Sequence, residues 1–343
     1  IPDVPKDTAP RPIETAAVIG CGTMGGGLAM NFANAGIPVR VVETDPEALE
    51  KGLGVIAKTF EAAVSKGRLT DADRETRMGL IQGTTDYADI ADADIVIEAV
   101  FEEMDVKKQV FAVLDQTCKP GAILATNTST LDIDEIAAAT ERPEQVIGTH
   151  FFSPANVMRL LENVRGDKSS NETIATVMDV AKRIGKVPVL VGVCDGFVGN
   201  RMLFAYRRQA DFLLEEGALP QQIDAVFYDF GMPMGPFELL DEVGLDIAGH
   251  AAGSLEAAYG DRMTPCAYLK PLLEKGDLGK KTGRGVYLWQ KGKGGRLKKA
   301  GVNPARPKPD GALTLSPQAM VDHLVLAMLN EAALALEEQV VAS

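Results

Sequence analysis

One run leaves this chain few options. Through Ala16-Ala17-Val18-Ile19-Gly20-Cys21-Gly22-Thr23-Met24-Gly25 an apolar strand halts on a glycine turn, and it restarts as a helix over 28–33. Gly-x-Gly-x-x-Gly in that setting reads as a phosphate cradle. Gly20 permits the tight turn, Gly22 keeps a Cβ out of the path of a pyrophosphate, and Gly25 lets the helix pack against its strand. Thr23 and Met24 complete the turn, and the helix N-terminus presents free N–H groups and the positive end of its dipole to an anion. A second apolar strand over 39–42 ends on Glu43, 18 residues past Gly25. A carboxylate there accepts hydrogen bonds from both hydroxyls of an adenosine ribose and repels a 2′-phosphate, which favours NAD over NADP. The glycine spacing alone is a weak signal. The succession of strand, turn, helix, strand and acid is what separates it from a chance match whose acid merely ends a strand.

Strand and helix patterns alternate from residue 13 to about 195, the signature of a Rossmann-type α/β unit. Residues 46–66 place Leu49, Leu53, Ile56, Phe60 and Val64 on one helical stripe, and a second helix over 71–78 follows. The two read as a helical hairpin inserted into the nucleotide fold, either reaching over a substrate or lying on the surface with solvated lysines. A strand over 95–100 leads to Glu102 and then to a helix over 105–114 that carries Lys107 in its first turns. The strand 123–126 empties into Asn127-Thr128-Ser129-Thr130, at the end where open α/β sheets place their ligands. Those side chains also suit the cap of a helix near 133–138, and both uses can hold at once. Three histidines occur in the chain. His250 and His323 lie in helical patterns with no carboxylate evident nearby, whereas His150 stands at a strand exit with Glu162 at the start of the next strand. A carboxylate-held histidine is the usual general base near neutral pH; a structural histidine is the other reading.

After a glycine-containing hinge at 192–197 only helical periodicity remains, over 203–216, 221–230, 236–252 and 268–275. Asn200 falls in the first turn of the leading helix, where it either faces a cleft or caps. Lys281 lies in the basic, glycine-rich loop 279–287, whose plain reading is a solvated turn. Residues 1–12, with four prolines, and 293–317, rich in Lys, Gly, Pro and Arg, read as linkers. The expected domains are therefore 13–195, an NAD-binding unit; 196–292, an all-helical substrate or dimerisation unit; and an amphipathic helix within 318–343. A lone helix cannot bury its stripe, so it docks on the preceding domain or opens a further unit. The net charge of −13 argues against a nucleic-acid partner. Four cysteines without a CxxC pair indicate reduced thiols and no structural metal. No apolar run reaches the roughly 18 residues of a membrane span.

Gly20-Cys21-Gly22-Thr23-Met24-Gly25, Asn127-Thr128-Ser129, His150-Phe151-Phe152 with Glu162, Gly196-Phe197-Val198-Gly199-Asn200-Arg201, Pro233-Met234-Gly235-Pro236-Phe237 and Lys281-Thr282-Gly283 together resemble L-3-hydroxyacyl-CoA dehydrogenases over about 13–290. The likeness is nearest to the dehydrogenase portion of multifunctional fatty acid β-oxidation enzymes. It implies oxidation of (S)-3-hydroxyacyl-CoA to 3-ketoacyl-CoA with NAD, an upstream enoyl-CoA hydratase domain, and 318–343 as the first helix of a second, truncated helical repeat. It also implies roles: His150 as base, Glu162 orienting it, and Ser129 and Asn200 bonding substrate oxygens. Glu43, Glu102, Lys107, Asn127 and Lys281 would lie near the cofactor, and Thr59 and Lys66 near coenzyme A. Three positions depart from the common pattern: Glu43 where Asp is frequent, Ser153 where Asn is, and Thr59 where Ser occurs. The implied compartment is cytoplasmic, or the peroxisomal matrix in a eukaryote. The alternatives are an NAD-binding module inactive as an isolated fragment and a dehydrogenase of another 3-hydroxy acid.

Overall fold

Short strands apolar on both faces, separated by helical segments, cannot pair as hairpins; they pair in parallel through crossovers, and the crossover helices cover both faces of the sheet. The computed structural model describes residues 4–292, 295–309, 311, 313 and 315–342. The described residues divide into two units, 4–197 with 339–342, and 198–338.

The first unit begins β1 (Ala16–Ile19), α1 (Thr23–Asn34) and β2 (Val39–Val42), then α2 (Pro46–Ser65) and α3 (Asp71–Gly79) before β3 (Ile81–Thr84). Asp45 caps α2 by accepting from Glu47 N at 2.9 Å, and Thr70 forms a reciprocal capping box with Asp73 on α3. These polar starts make the inserted hairpin two helices rather than one. There follow β4 (Ile95–Glu98), α4 (Met104–Thr117), β5 (Ile123–Thr126), α5 (Ile133–Ala137), β6 (Val146–Phe151), β7 (Leu160–Arg165), α6 (Asn171–Arg183) and β8 (Val187–Gly192). The eight strands lie in the order β3-β2-β1-β4-β5-β6-β7-β8. Every pairing is parallel except β6 with β7. The chain crosses from one side of β1 to the other between β3 and β4, which opens a crevice at the carboxyl ends of β1 and β4.

Residues 1–12 need a correction. Residues 1–3 lie outside the described residues, but from Val4 the segment is docked: Val4 is buried in the same core as Ile13, Arg11 N donates to Thr176 Oγ1 at 2.9 Å, and Arg11 pairs with Glu172. The prolines disfavour a strand or helix here, yet leave single side chains free to anchor.

The second unit comprises α7 (Phe197–Glu215, whose first residue belongs to the first unit), α8 (Pro220–Phe230), α9 (Pro236–Val243), α10 (Leu245–Tyr259), α11 (Lys270–Glu274), the hairpin of β9 (Tyr287–Lys291) and β10 (Leu297–Val302), and α12 (Pro317–Glu337). The pattern over 236–252 resolves into two helices because Gly244, at φ +105°, turns the chain between them. The expected linker 293–317 is corrected in part. Residues 293, 294, 310, 312 and 314 lie outside the described residues, but 297–302 form β10, whose Lys and Gly content hides a strand that pairs with β9. Helix α12 docks: Met320 and Leu324 pack with Tyr206, Leu213 and Tyr268. Among the described residues it is the one helix long and apolar enough, by length and composition, to cross a membrane. It nevertheless carries Asp322, Glu331 and Glu337, and part of its apolar surface belongs to this core.

Candidate active site

The glycine turn is decided by backbone distances. A Cβ on Gly25 would stand 1.9 Å from the carbonyl oxygen of Gly20, so any side chain there forces α1 away from β1. At Gly22 nothing lies within 4 Å of where a Cβ would be. That open face adjoins the first turn of α1, at Thr23 and Met24, which no side chain caps. Unclaimed N–H groups, the dipole and free space suit a pyrophosphate. Glu43 leans over the turn, one carboxylate oxygen accepting from Cys21 N at 3.1 Å. A cleft of about 470 Å³ runs from Gly22, Thr23 and Glu43 along α2 past Lys51, Val55 and Thr59. The residues present fit an adenine dinucleotide. Cys21 is no nucleophile here, because burial, and then the charge of Glu43, push its thiol up to about 11.

At the carboxyl ends of β4 and β5 lies a polar cluster. Glu98, the one acid in strand β4, is wholly buried and accepts from Lys107 Nζ at 2.7 Å, Thr126 Oγ1 at 2.7 Å and Val100 N at 2.7 Å. Lys107 is 1% exposed and reaches Glu102 at 3.3 Å as well. Its ammonium is thus engaged by two carboxylates, so it acts on the site through Glu102. Glu102 in turn accepts from Thr128 Oγ1 (2.6 Å), Ser129 N (2.6 Å) and Ser129 Oγ (3.1 Å). Burial alone would raise its pKa; the charge of Lys107 and these hydrogen bonds outweigh it and hold the carboxyl below its usual range. Asn127 braces the next strand, its Oδ1 accepting from Phe151 N at 3.0 Å.

The reversed strand β7 creates the second feature. Antiparallel register sets Glu162 directly opposite His150, and Glu162 Oε2 lies 2.8 Å from His150 Nδ1. The pair is buried, at 2% and 6% exposure. A carboxylate can only accept, so the proton on this bond sits on Nδ1, and in the neutral imidazole that tautomer leaves the lone pair on Nε2. Phe152 and Phe197 pack on the imidazole with ring centroids 4.4 and 5.6 Å away. Phe197 has φ +47°, which few non-glycine residues adopt; nothing in the local sequence announced that it would pack on the histidine.

The remaining candidates are placed as follows. Thr59 lines the cleft on α2 and bonds back to Val55 O, whereas Lys66 sits at the C-cap of α2, exposed and outside the cleft lining. Asn200 is in the first turn of α7, in the second unit. Lys281, also in that unit, is held by both carboxylate oxygens of Asp246 at 2.6 and 2.7 Å. Sequence reasoning missed Glu98, although an acid inside the apolar run Ile95-Val96-Ile97-Glu98-Ala99-Val100 was the available signal.

A doubly wound dinucleotide fold with a buried histidine–carboxylate pair at a strand exit defines a class, the pyridine-nucleotide-dependent dehydrogenases. The chain belongs to the 3-hydroxyacyl-CoA dehydrogenase family: residues 15–194 match that family's NAD binding domain and 196–289 its C-terminal domain. It is 48% identical over 297 residues to the peroxisomal bifunctional enzyme of Cavia porcellus, a match that covers 83% of this chain and 41% of that relative. The chain thus spans less than half the length of that curated relative. Among solved structures it resembles FadB2 of M. tuberculosis (38% identity, TM-score 0.77, 82% of this chain and all of that one). It also resembles the dehydrogenase part of multifunctional enzyme 1 from C. elegans (31%, TM-score 0.75, 99% and 79%).

Proposed function

We propose that this chain interconverts (S)-3-hydroxyacyl-CoA and 3-ketoacyl-CoA with NAD as the redox partner, within fatty acid oxidation. The observation that carries the reading is the buried pair His150 Nδ1···Glu162 Oε2 at 2.8 Å. Gly20, Gly22, Thr23, Met24 and Gly25 would hold the pyrophosphate and Glu43 the adenosine ribose. When bound, the nicotinamide supplies the hydride acceptor for C3 of the substrate.

His150 Nε2 takes the proton of the 3-hydroxyl as the C3–H bond breaks, and Glu162 stabilises the imidazolium that forms. In the reverse direction the imidazolium returns that proton to the developing alkoxide. Ser129 and Asn200 are the donors assigned to the substrate oxygens. For Ser129 this means a hydroxyl that Glu102 otherwise accepts from. Thr59, lining the cleft on α2, suits contact with the coenzyme A portion, and Lys66 is assigned the same role at the helix end. A relative named bifunctional supports a second activity elsewhere in a longer protein, for which the resemblance implies an enoyl-CoA hydratase, and its peroxisomal name supports the peroxisomal alternative for the compartment.

The test is NADH oxidation with acetoacetyl-CoA and then a longer 3-ketoacyl-CoA, with NADPH as control. Turnover with NADH alone is expected, and His150→Gln should lower kcat by at least about a hundredfold while NADH still binds. Activity of that variant within a few fold of the parent would sink the base assignment.

A further inference from the structure

Arg201, beside Asn200 in the first turn of α7, has no exposed surface. A guanidinium cannot shed its proton, so a buried one requires anionic partners. They come from α12 and its C-cap. Arg201 Nη2 and Nε donate to Glu331 Oε1 at 2.6 and 3.0 Å, and Nη2 lies 2.9 Å from Glu338 Oε2. The guanidinium also lies over the Tyr259 ring, 4.7 Å from its centroid. Arg262 stands on the same ring at 4.7 Å and bonds Glu338 at 2.8 Å. Two cations, two carboxylates and one ring thus tie α12 to α7 and α10.

Residues 317–338 lie beyond both segments that match the family. Asn200 and Arg201 are consecutive residues in the same turn of α7. Fixing Arg201 therefore fixes the backbone that aims Asn200. We propose that Glu331 is a positioning residue for the dehydrogenase reaction: from a helix outside the matched domains it anchors Arg201 and so sets the placement of the Asn200 amide. This rests on the assignment of Asn200 to the substrate made under the proposed function.

The experiment uses the full chain and a double-mutant cycle between Glu331→Gln and Asn200→Ala, with kcat for acetoacetyl-CoA reduction and the Kd for NADH as readouts. Glu331→Gln is expected to lower kcat about tenfold and to leave the NADH Kd within about twofold, whereas Glu331→Asp recovers most of the loss. In the Asn200→Ala background the same change should cost less than about twofold. Equal losses in both backgrounds, or an unchanged kcat in folded Glu331→Gln, would overturn the proposal. If Glu331→Gln does not fold, Glu338→Gln removes the more exposed partner of the same guanidinium, and additive behaviour there overturns the proposal equally. An inactive parent protein would remove the functional reading together with this one, whereas an active parent with additive variants removes this one alone.

Discussion

Replacing Lys107 with Met separates two accounts of that residue. As a cofactor contact, it would affect NADH affinity and leave folding alone. In the structure its ammonium is 1% exposed, 2.7 Å from the fully buried Glu98. Methionine preserves the length of the stem but strands the Glu98 carboxylate, and breaking one side of a buried pair costs about 3–5 kcal/mol. The lower end applies, because Thr126 Oγ1 and Val100 N still donate to Glu98. For a unit of this size each kcal/mol moves Tm by about 2–4 °C, so a loss of about 3 kcal/mol lowers the midpoint by about 6–12 °C. Thermal unfolding followed by circular dichroism measures it. Adding Glu98→Gln to Lys107→Met should recover at least half of the loss, since neither charge then remains. A midpoint within about 2 °C of the parent, together with a tenfold weaker NADH Kd, would refute the structural account of Lys107.

Gly25→Ala is expected to abolish measurable NADH binding, since its methyl would sit 1.9 Å from Gly20 O; calorimetric titration showing affinity within threefold of the parent would contradict the packing argument. In the helical unit, burial raises the carboxyl of Asp211 from an ordinary 3.8 to about 6, against the opposing charge of Arg207. The folded state therefore keeps a proton that the unfolded chain gives up, so this group's contribution is fully present below about pH 4 and is lost as pH rises through 6. The Tm of Asp211→Asn minus that of the parent should accordingly climb between about pH 4 and pH 7, and a flat difference would count against the buried charge.

The parts of the site that could be read along the chain are those built from local chemistry. The glycine turn, the helix it starts and the acid ending β2 lie within about thirty residues of one another, and each follows from backbone sterics or hydrogen-bonding capacity inside that window. The alternation that announces an α/β unit is equally local. His150 and Glu162 were legible as candidates because a strand exit and a strand start each show in the hydrophobic pattern. The resemblance assigns Lys107 to the cofactor's surroundings, and the structure shows its ammonium engaged by Glu98 and Glu102, the first an acid hidden inside an apolar strand. Residues 297–302 read as linker because Lys and Gly have low strand preference, and pairing with Tyr287–Lys291 overrode it.

The class of fold, the cofactor cradle and the set of residues able to do acid–base chemistry follow from the order of amino acids alone. These depend on which dihedral angles and hydrogen bonds neighbouring residues permit. That β7 runs against β6, which sets Glu162 across from His150, and that α12 brings Glu331 to Arg201, became settled in the folded chain alone. Both are choices of partner for a buried charge. Such a choice is governed by the cost of removing that charge from water, and that cost exists only once distant segments have closed around it.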